Sequence, residues 1–360
     1  MPFLASHVQS QARLGLLGER LMAVVCQGPR GRVYLSPTAE HESAKPLSLD
    51  PSAPDYDLPK NPRWVSPPSF GLTRLQQLFT PRQLTALTTF RDLIARCRTE
   101  VRRDAEQAGL AADGVRLNDG GSGAAAYADA VATYMALAVD KLADYGSATC
   151  SWHSGRETTR NTFARQALPM VWDYAEANPF SDSTGNWAGA VDWIVKAVAA
   201  APTAGLGKVA QADATVGGPD RGLVVSTDPP YYDNIGYADL ADYFYVWLRR
   251  SLRDVYPDLF GTLLTPKAPE LVATPYRFAG GRAEAKTHFE GGLHQAFVRL
   301  RAESDPAYPL TVYYAFKQAD SEEDGESGGD GGNGTASTGW ETMLALGRGP
   351  PCPVPARYRP

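Results

Sequence analysis

The sequence predicts an α/β protein in which an incomplete parallel sheet follows a large helical region. Three observations predict it. Between residues 80 and 200, apolar side chains recur at helical spacing behind good start signals. After residue 205 the pattern changes to short runs, 223–225 and 309–318, rich in β-branched and aromatic residues. Helical stretches lie between those runs, at lengths that suit parallel strands joined by crossovers.

Residues 1–79 read as an extended, Pro-rich segment. It holds a helix near 12–25 and a short strand at Arg32, Val33, Tyr34 and Leu35. The proline density of 46–72 then favours largely unpaired chain, draped over a neighbouring surface. Residues 80–204 form the helical region. Thr80 suits an N-cap, Pro81 the first helical position, and Leu84, Leu87, Phe90, Ile94 and Cys97 make one stripe. An alanine-rich helix ends at Gly146, and a third spans 187–200. Residues 205–346 hold the sheet, with strand candidates at 208–215, 222–230 and 309–318. The continuous apolar run in 222–230 suits a buried parallel strand. Helices are expected at 238–252, with Leu240, Phe244, Trp247, Leu248 and Leu252 on one side, and at 288–303. Residues 347–360 form an irregular tail with no apolar period.

The composition, 43% hydrophobic and 21% charged over 360 residues, is that of a globular chain with room for about two domains. Cys26, Cys97, Cys150 and Cys352 have no paired spacing, so neither a zinc site nor a disulfide framework is expected, and a reducing cytoplasm is. The opening residues lack the uninterrupted apolar core of a signal peptide. Nowhere do eighteen apolar residues run together, so no membrane partner is expected. The net charge of −5 conceals an uneven distribution: residues 320–330, "DSEEDGESGGD", hold six acids and no base, and setting them aside leaves +1. Basic residues cluster at Arg91, Arg96, Arg98, Arg102 and Arg103, and again at Arg156, Arg160 and Arg165. Each cluster fits either a solvated helix face or a phosphate-contacting surface.

Asp228-Pro229-Pro230-Tyr231 directly follows the apolar run at 223–225. Two prolines there remove two backbone donors and stop both strand and helix. Ligands of open α/β sheets bind beyond the carboxyl ends of strands, which is where this tetrad falls. An ionised Asp228 is an acceptor-only group, and Pro229 offers a carbonyl whose direction the ring helps to fix. Together they could take both hydrogens of a nucleobase NH₂ group, localising its lone pair for attack on a methyl donor. Tyr231 offers a face for a base turned out of its helix. The same letters also fit a surface turn, with Tyr231, Tyr232 and Tyr237 covering the edge of a core.

These residues resemble the Asp-Pro-Pro-Tyr motif of S-adenosylmethionine-dependent DNA amino-methyltransferases, which act on adenine N6 or cytosine N4. The longer runs at 161–187, 226–252 and 309–318 resemble a narrower group of large bacterial DNA methylases with an N-terminal domain of unknown function. The similarity spans about residues 10–345. It implies a Rossmann-like methyltransferase sheet, S-adenosylmethionine as cofactor and DNA as partner. Asp228, Pro229, Pro230 and Tyr231 would then hold and activate the target amine. Asp213, on the preceding strand candidate, resembles the acid placed near the cofactor's adenine; it also fits a turn or cap.

One departure from the family stands out. The cofactor's methionine end normally rests on a glycine-rich turn after the first strand, and neither 115–130 nor 277–285 reproduces it; both read as loops that start helices. The chain is therefore expected to be a truncated member, with another polypeptide completing the domain, or a catalytically inactive DNA-binding or complex-forming remnant. An RNA or protein-glutamine methyltransferase is a third reading. Trp152 and His153, beside several arginines, fit an aromatic-basic structural patch or a DNA-facing surface. His288 and His294 do not share a helix face for a metal, so none is assigned. No Gly-x-Ser-x-Gly elbow supports a serine hydrolase.

Overall fold

A computed structural model describes residues 5–43, 51–61, 63–201, 211–216, 221–232 and 235–314. The fold is mixed α/β, with seven α-helices and three two-stranded sheets among the described residues. The chain divides into two compact units. Unit 1 comprises Met1–Gly207 and Tyr237–Pro266; unit 2 comprises Lys208–Gly236 and Lys267–Pro360.

Unit 1 opens with helix α1 (Ala5–Arg13), and strands β1 (Val24–Gly28) and β2 (Gly31–Leu35) form an antiparallel hairpin. The helix expected near 12–25 is therefore a helix end followed by a strand. Gly15, in the left-handed region at φ 70°, stops α1. Val24 and Val25 then favour extended chain, which the strand expected at 32–35 pairs. A short helix, α2 (Ala39–Ser43), follows. In the described part of the Pro-rich connector, Tyr56, Leu58 and Val65 are buried, while pairing is limited to isolated bridges such as Val65 with Leu168.

Four longer helices build the unit's core: α3 (Pro81–Gln107), α4 (Ala124–Tyr145), α5 (Trp187–Ala200) and α6 (Tyr237–Leu252). Helix α3 starts as expected. The Thr80 side chain accepts from Gln83 N at 3.2 Å, Gln83 Oε1 accepts from Thr80 N at 2.8 Å, and Pro81 follows. The buried alanines of α4, among them Ala128, Ala132 and Ala136, let neighbouring helices approach closely. Tyr243 and Trp247 of α6 are fully buried; Phe79 stacks on Tyr243 at 5.6 Å, and the Tyr243 hydroxyl donates to the Ala143 carbonyl. Asp129 of α4, also fully buried, accepts from Arg98 Nε and Arg116 Nε, each at 2.7 Å. A second hairpin, β3 (Ser151–His153) with β4 (Thr158–Arg160), interrupts the region expected to be helical.

Unit 2 contains strands β5 (Ser226–Thr227) and β6 (Thr311–Val312), paired in parallel, with helix α7 (Gly281–Glu303) between them in sequence. The parallel pairing expected of 222–230 and 309–318 is present but short. Tyr313 N donates to the Thr227 carbonyl, Thr311 N to Val225, and a further bridge joins Leu223 to Ser304. Val224 is 67% exposed, so this segment is not covered on both faces. The strand expected at 208–215 is irregular chain at 211–213 and a turn at 214–215; 208–210 lie outside the described residues. Ala285, Phe289 and Leu293, spaced by four along α7, form the core with Ala273, against which Tyr232, Val312 and Tyr314 pack. Residues 315–360, including the acidic stretch and the tail, lie outside the described residues. No helix among the described residues is long and apolar enough to cross a membrane.

Candidate functional site

The ladder from β6 carries the chain as far as Thr227, and the two prolines then turn it out of the sheet. Beyond that point Asp228 is exposed, and its side chain has no hydrogen-bond or ion-pair partner among the described residues. Pro229 is buried and Pro230 half-buried, so the corner is seated by its rings while its carboxylate faces outward.

Tyr314 holds the far side of the corner. The Tyr232 amide donates to the Tyr314 hydroxyl at 3.2 Å, and the Tyr232 carbonyl accepts from Ala273 N at 3.0 Å. The half-buried Tyr231 ring meets the Tyr314 ring edge-on, with centroids 5.2 Å apart, while the Tyr232 ring packs edge-on against Phe289 at 5.3 Å. Burial pushes the Tyr314 hydroxyl above its ordinary value, with the nearby Tyr231 adding to the rise and the Tyr232 amide opposing it. Sequence reasoning gave Tyr314 no role. Its signal was the period of two that puts Val312 and Tyr314 on the covered side and leaves Tyr313 61% exposed.

Asp213 is exposed, and its Oδ1 accepts from Thr215 N at 2.8 Å and Thr215 Oγ1 at 2.7 Å. Those two bonds hold its carboxyl below the usual range. It thus closes a local turn, as one of the two sequence readings had it. Asp213 also lines a cleft of about 320 Å³ with Thr215, Leu271, His288, Gly291 and Gln295, and none of residues 228–231 borders it. The cleft went unforeseen, although adjacent glycines in mid-helix hinted at it, each costing about 1 kcal/mol relative to alanine. A Cβ on Gly292 would stand 2.2 Å from Leu271 Cδ2, whereas one on Gly291 would meet nothing within 4 Å. His288 Nε2 lies 3.1 Å from the Glu270 carbonyl and its ring packs against Phe278; His294 is exposed.

S-adenosylmethionine would need a glycine turn whose backbone stays open to it. Each glycine-bearing stretch uses some of its glycines within its own chain, while a Cβ on Gly120 or Gly281 would meet nothing within 4 Å. A Cβ on Gly121 would lie 2.3 Å from the Val115 carbonyl oxygen, and one on Gly123 2.5 Å from that of Ala111, so these glycines let a loop fold on itself before α4. Gly281, at φ 61°, begins α7. The chain matches no family model, no curated protein and no solved structure.

Proposed function

We propose that residues 228–231 grip an exocyclic amine of adenine or cytosine in DNA, for a methyl transfer in which S-adenosylmethionine is the donor. The observation that carries this reading is the exposed Asp228 carboxylate, without a partner among the described residues, on a corner made rigid by two prolines. A carboxylate in a surface turn usually spends itself on local backbone, as Asp213 does; Asp228 does not. On this reading Asp228 accepts one N–H of the amine, the Pro229 carbonyl accepts the other, and Tyr231 stacks on the flipped base. The donor supplies the methyl group when bound. The parallel β5–β6 pair with α7 in the crossover supports a Rossmann-like methyltransferase sheet.

A second reading, an inactive DNA-binding or complex-forming chain, is favoured by the glycines' use in the protein's own loops. Another polypeptide that brings a glycine turn would instead complete the donor site. Incubating the chain with unmethylated DNA and isotopically labelled S-adenosylmethionine separates these readings. Incorporation by the parent and not by Asp228→Ala supports the enzyme. Equal incorporation removes Asp228 from the chemistry. DNA binding with no incorporation by the parent favours the second reading.

A further inference from the structure

The two basic clusters of the sequence meet different fates. On α3, Arg91 pairs with Asp92, Arg98 with Asp129, Arg102 with Glu106 and Arg103 with Asp104. Arg96 alone of that set has no carboxylate partner among the described residues. Arg156, Arg160 and Arg165 are all exposed, and among the described residues none of them has one either.

These three arginines rise from the β3–β4 hairpin and the chain just after it. The register sets Ser151 opposite Arg160 and His153 opposite Thr158, so His153 and Arg160 share one face, while Thr159 is buried on the other. Arg156 sits in the turn, its amide donating to the His153 carbonyl at 3.1 Å. The hairpin's own acid, Glu157, stands at φ 50° and accepts from the Tyr34 hydroxyl of β2 at 3.0 Å; it forms no ion pair with the three arginines among the described residues, though its charge offsets one of theirs. Tyr34 also meets the Trp152 ring edge-on at 6.3 Å, which joins the two hairpins. On the same side of β2, Arg32 donates to Gln27 and Ser183, neither of them charged. Asp173, beside the Tyr174 that bridges to Ser151, is an exposed acid at the border of this surface.

We propose that the β3–β4 hairpin and the chain just after it form a docking surface for the phosphate backbone of duplex DNA, with Arg156, Arg160 and Arg165 as its principal contacts. The choice of DNA among polyanions rests on the methyl-transfer reading; the surface itself rests on the distribution of charge. In a chain of net charge −5, three exposed arginines against one glutamate within ten residues, none of the three in an ion pair among the described residues, concentrate positive potential. Guanidinium groups suit phosphate oxygens in number and plane.

The test is fluorescence anisotropy of a labelled duplex with the full chain, without methyl donor, across a salt series. The Arg156→Gln/Arg160→Gln/Arg165→Gln variant is compared with a control, Arg96→Gln/Arg102→Gln/Arg103→Gln. The parent should bind more weakly as salt rises. The hairpin variant should lose at least about tenfold in affinity at low salt and about two to three units of log–log salt slope, with the control near the parent. Circular dichroism melts of all three should coincide. Equal binding by parent and hairpin variant, an equal loss in the control, no binding by the parent, or a preference for RNA over DNA would each overturn the proposal. Binding is read without methyl donor or methyl transfer, so failure of this surface stays distinct from failure of the catalytic reading, which the incorporation assay tests separately.

Discussion

At residue scale, the contrast between Asp213 and Asp228 governs what each can do. Asp213 spends one oxygen on Thr215, whereas the exposed Asp228 carboxylate has no partner among the described residues. Asp228→Asn keeps the shape and removes the charge. It should lower methyl incorporation by about 10²-fold or more, in line with loss of a group that polarises the reacting centre. An exposed side chain contributes little to folding, so the denaturation midpoint should shift by no more than about 0.5 kcal/mol equivalent. A large loss of stability would mean that Asp228 is structural. Tyr314→Phe addresses the support. It deletes the acceptor of the Tyr232 amide and should cost about 1 kcal/mol in chemical denaturation. Its rate of methyl incorporation should fall while its affinity for DNA stays with the parent's; unchanged stability and rate would show that the corner holds itself. Asp228 could be singled out in sequence because an acid before two prolines at a strand end is chemically legible. Tyr314 could not, because its partner is 82 residues away in the chain.

At the scale of elements, the helices were largely legible and the strands less so. The Thr80–Gln83 box and Pro81 mark the start of α3 through contacts within one turn, which is why sequence suffices there. Strands β3 and β4 take their pairing from a turn and from the neighbouring hairpin, and three residues apiece leave no readable period. Helix α4 yields a quantitative expectation. Asp140 is buried, no partner meets its Oδ1 among the described residues, and burial pushes its carboxyl well above the usual range. A carboxyl raised in the folded state has its most favourable contribution below the unfolded value, about 3.9, and stability declines as pH rises from there through the folded value. Asp140→Ala should therefore change stability more favourably at neutral than at acidic pH, by at least about 1 kcal/mol in urea denaturation. A difference that does not vary with pH would mean that the carboxyl is solvated or paired.

At the scale of the molecule, two units each have their own core, and the chain crosses between them three times. Six of the seven tryptophans fall within unit 1, so tryptophan fluorescence reports on that unit while far-ultraviolet circular dichroism senses both. Phe289→Ala empties the centre of unit 2 and should cost it about 3–5 kcal/mol. The dichroism should then show an early loss of helix while the fluorescence transition holds its midpoint; a joint shift of both would make the two units one cooperative body. By itself the sequence determined the helices α3 to α6, the C-terminal two-thirds of α7 and the parallel partnership of the two chief strands, since each follows from local pattern and side-chain type. Only the tertiary structure decided which acids and arginines are spent on one another, which tyrosine braces the corner, and that α6 belongs to a different unit from the motif it follows. Those outcomes depend on groups far apart in the chain meeting in space, and no local spacing encodes such a meeting.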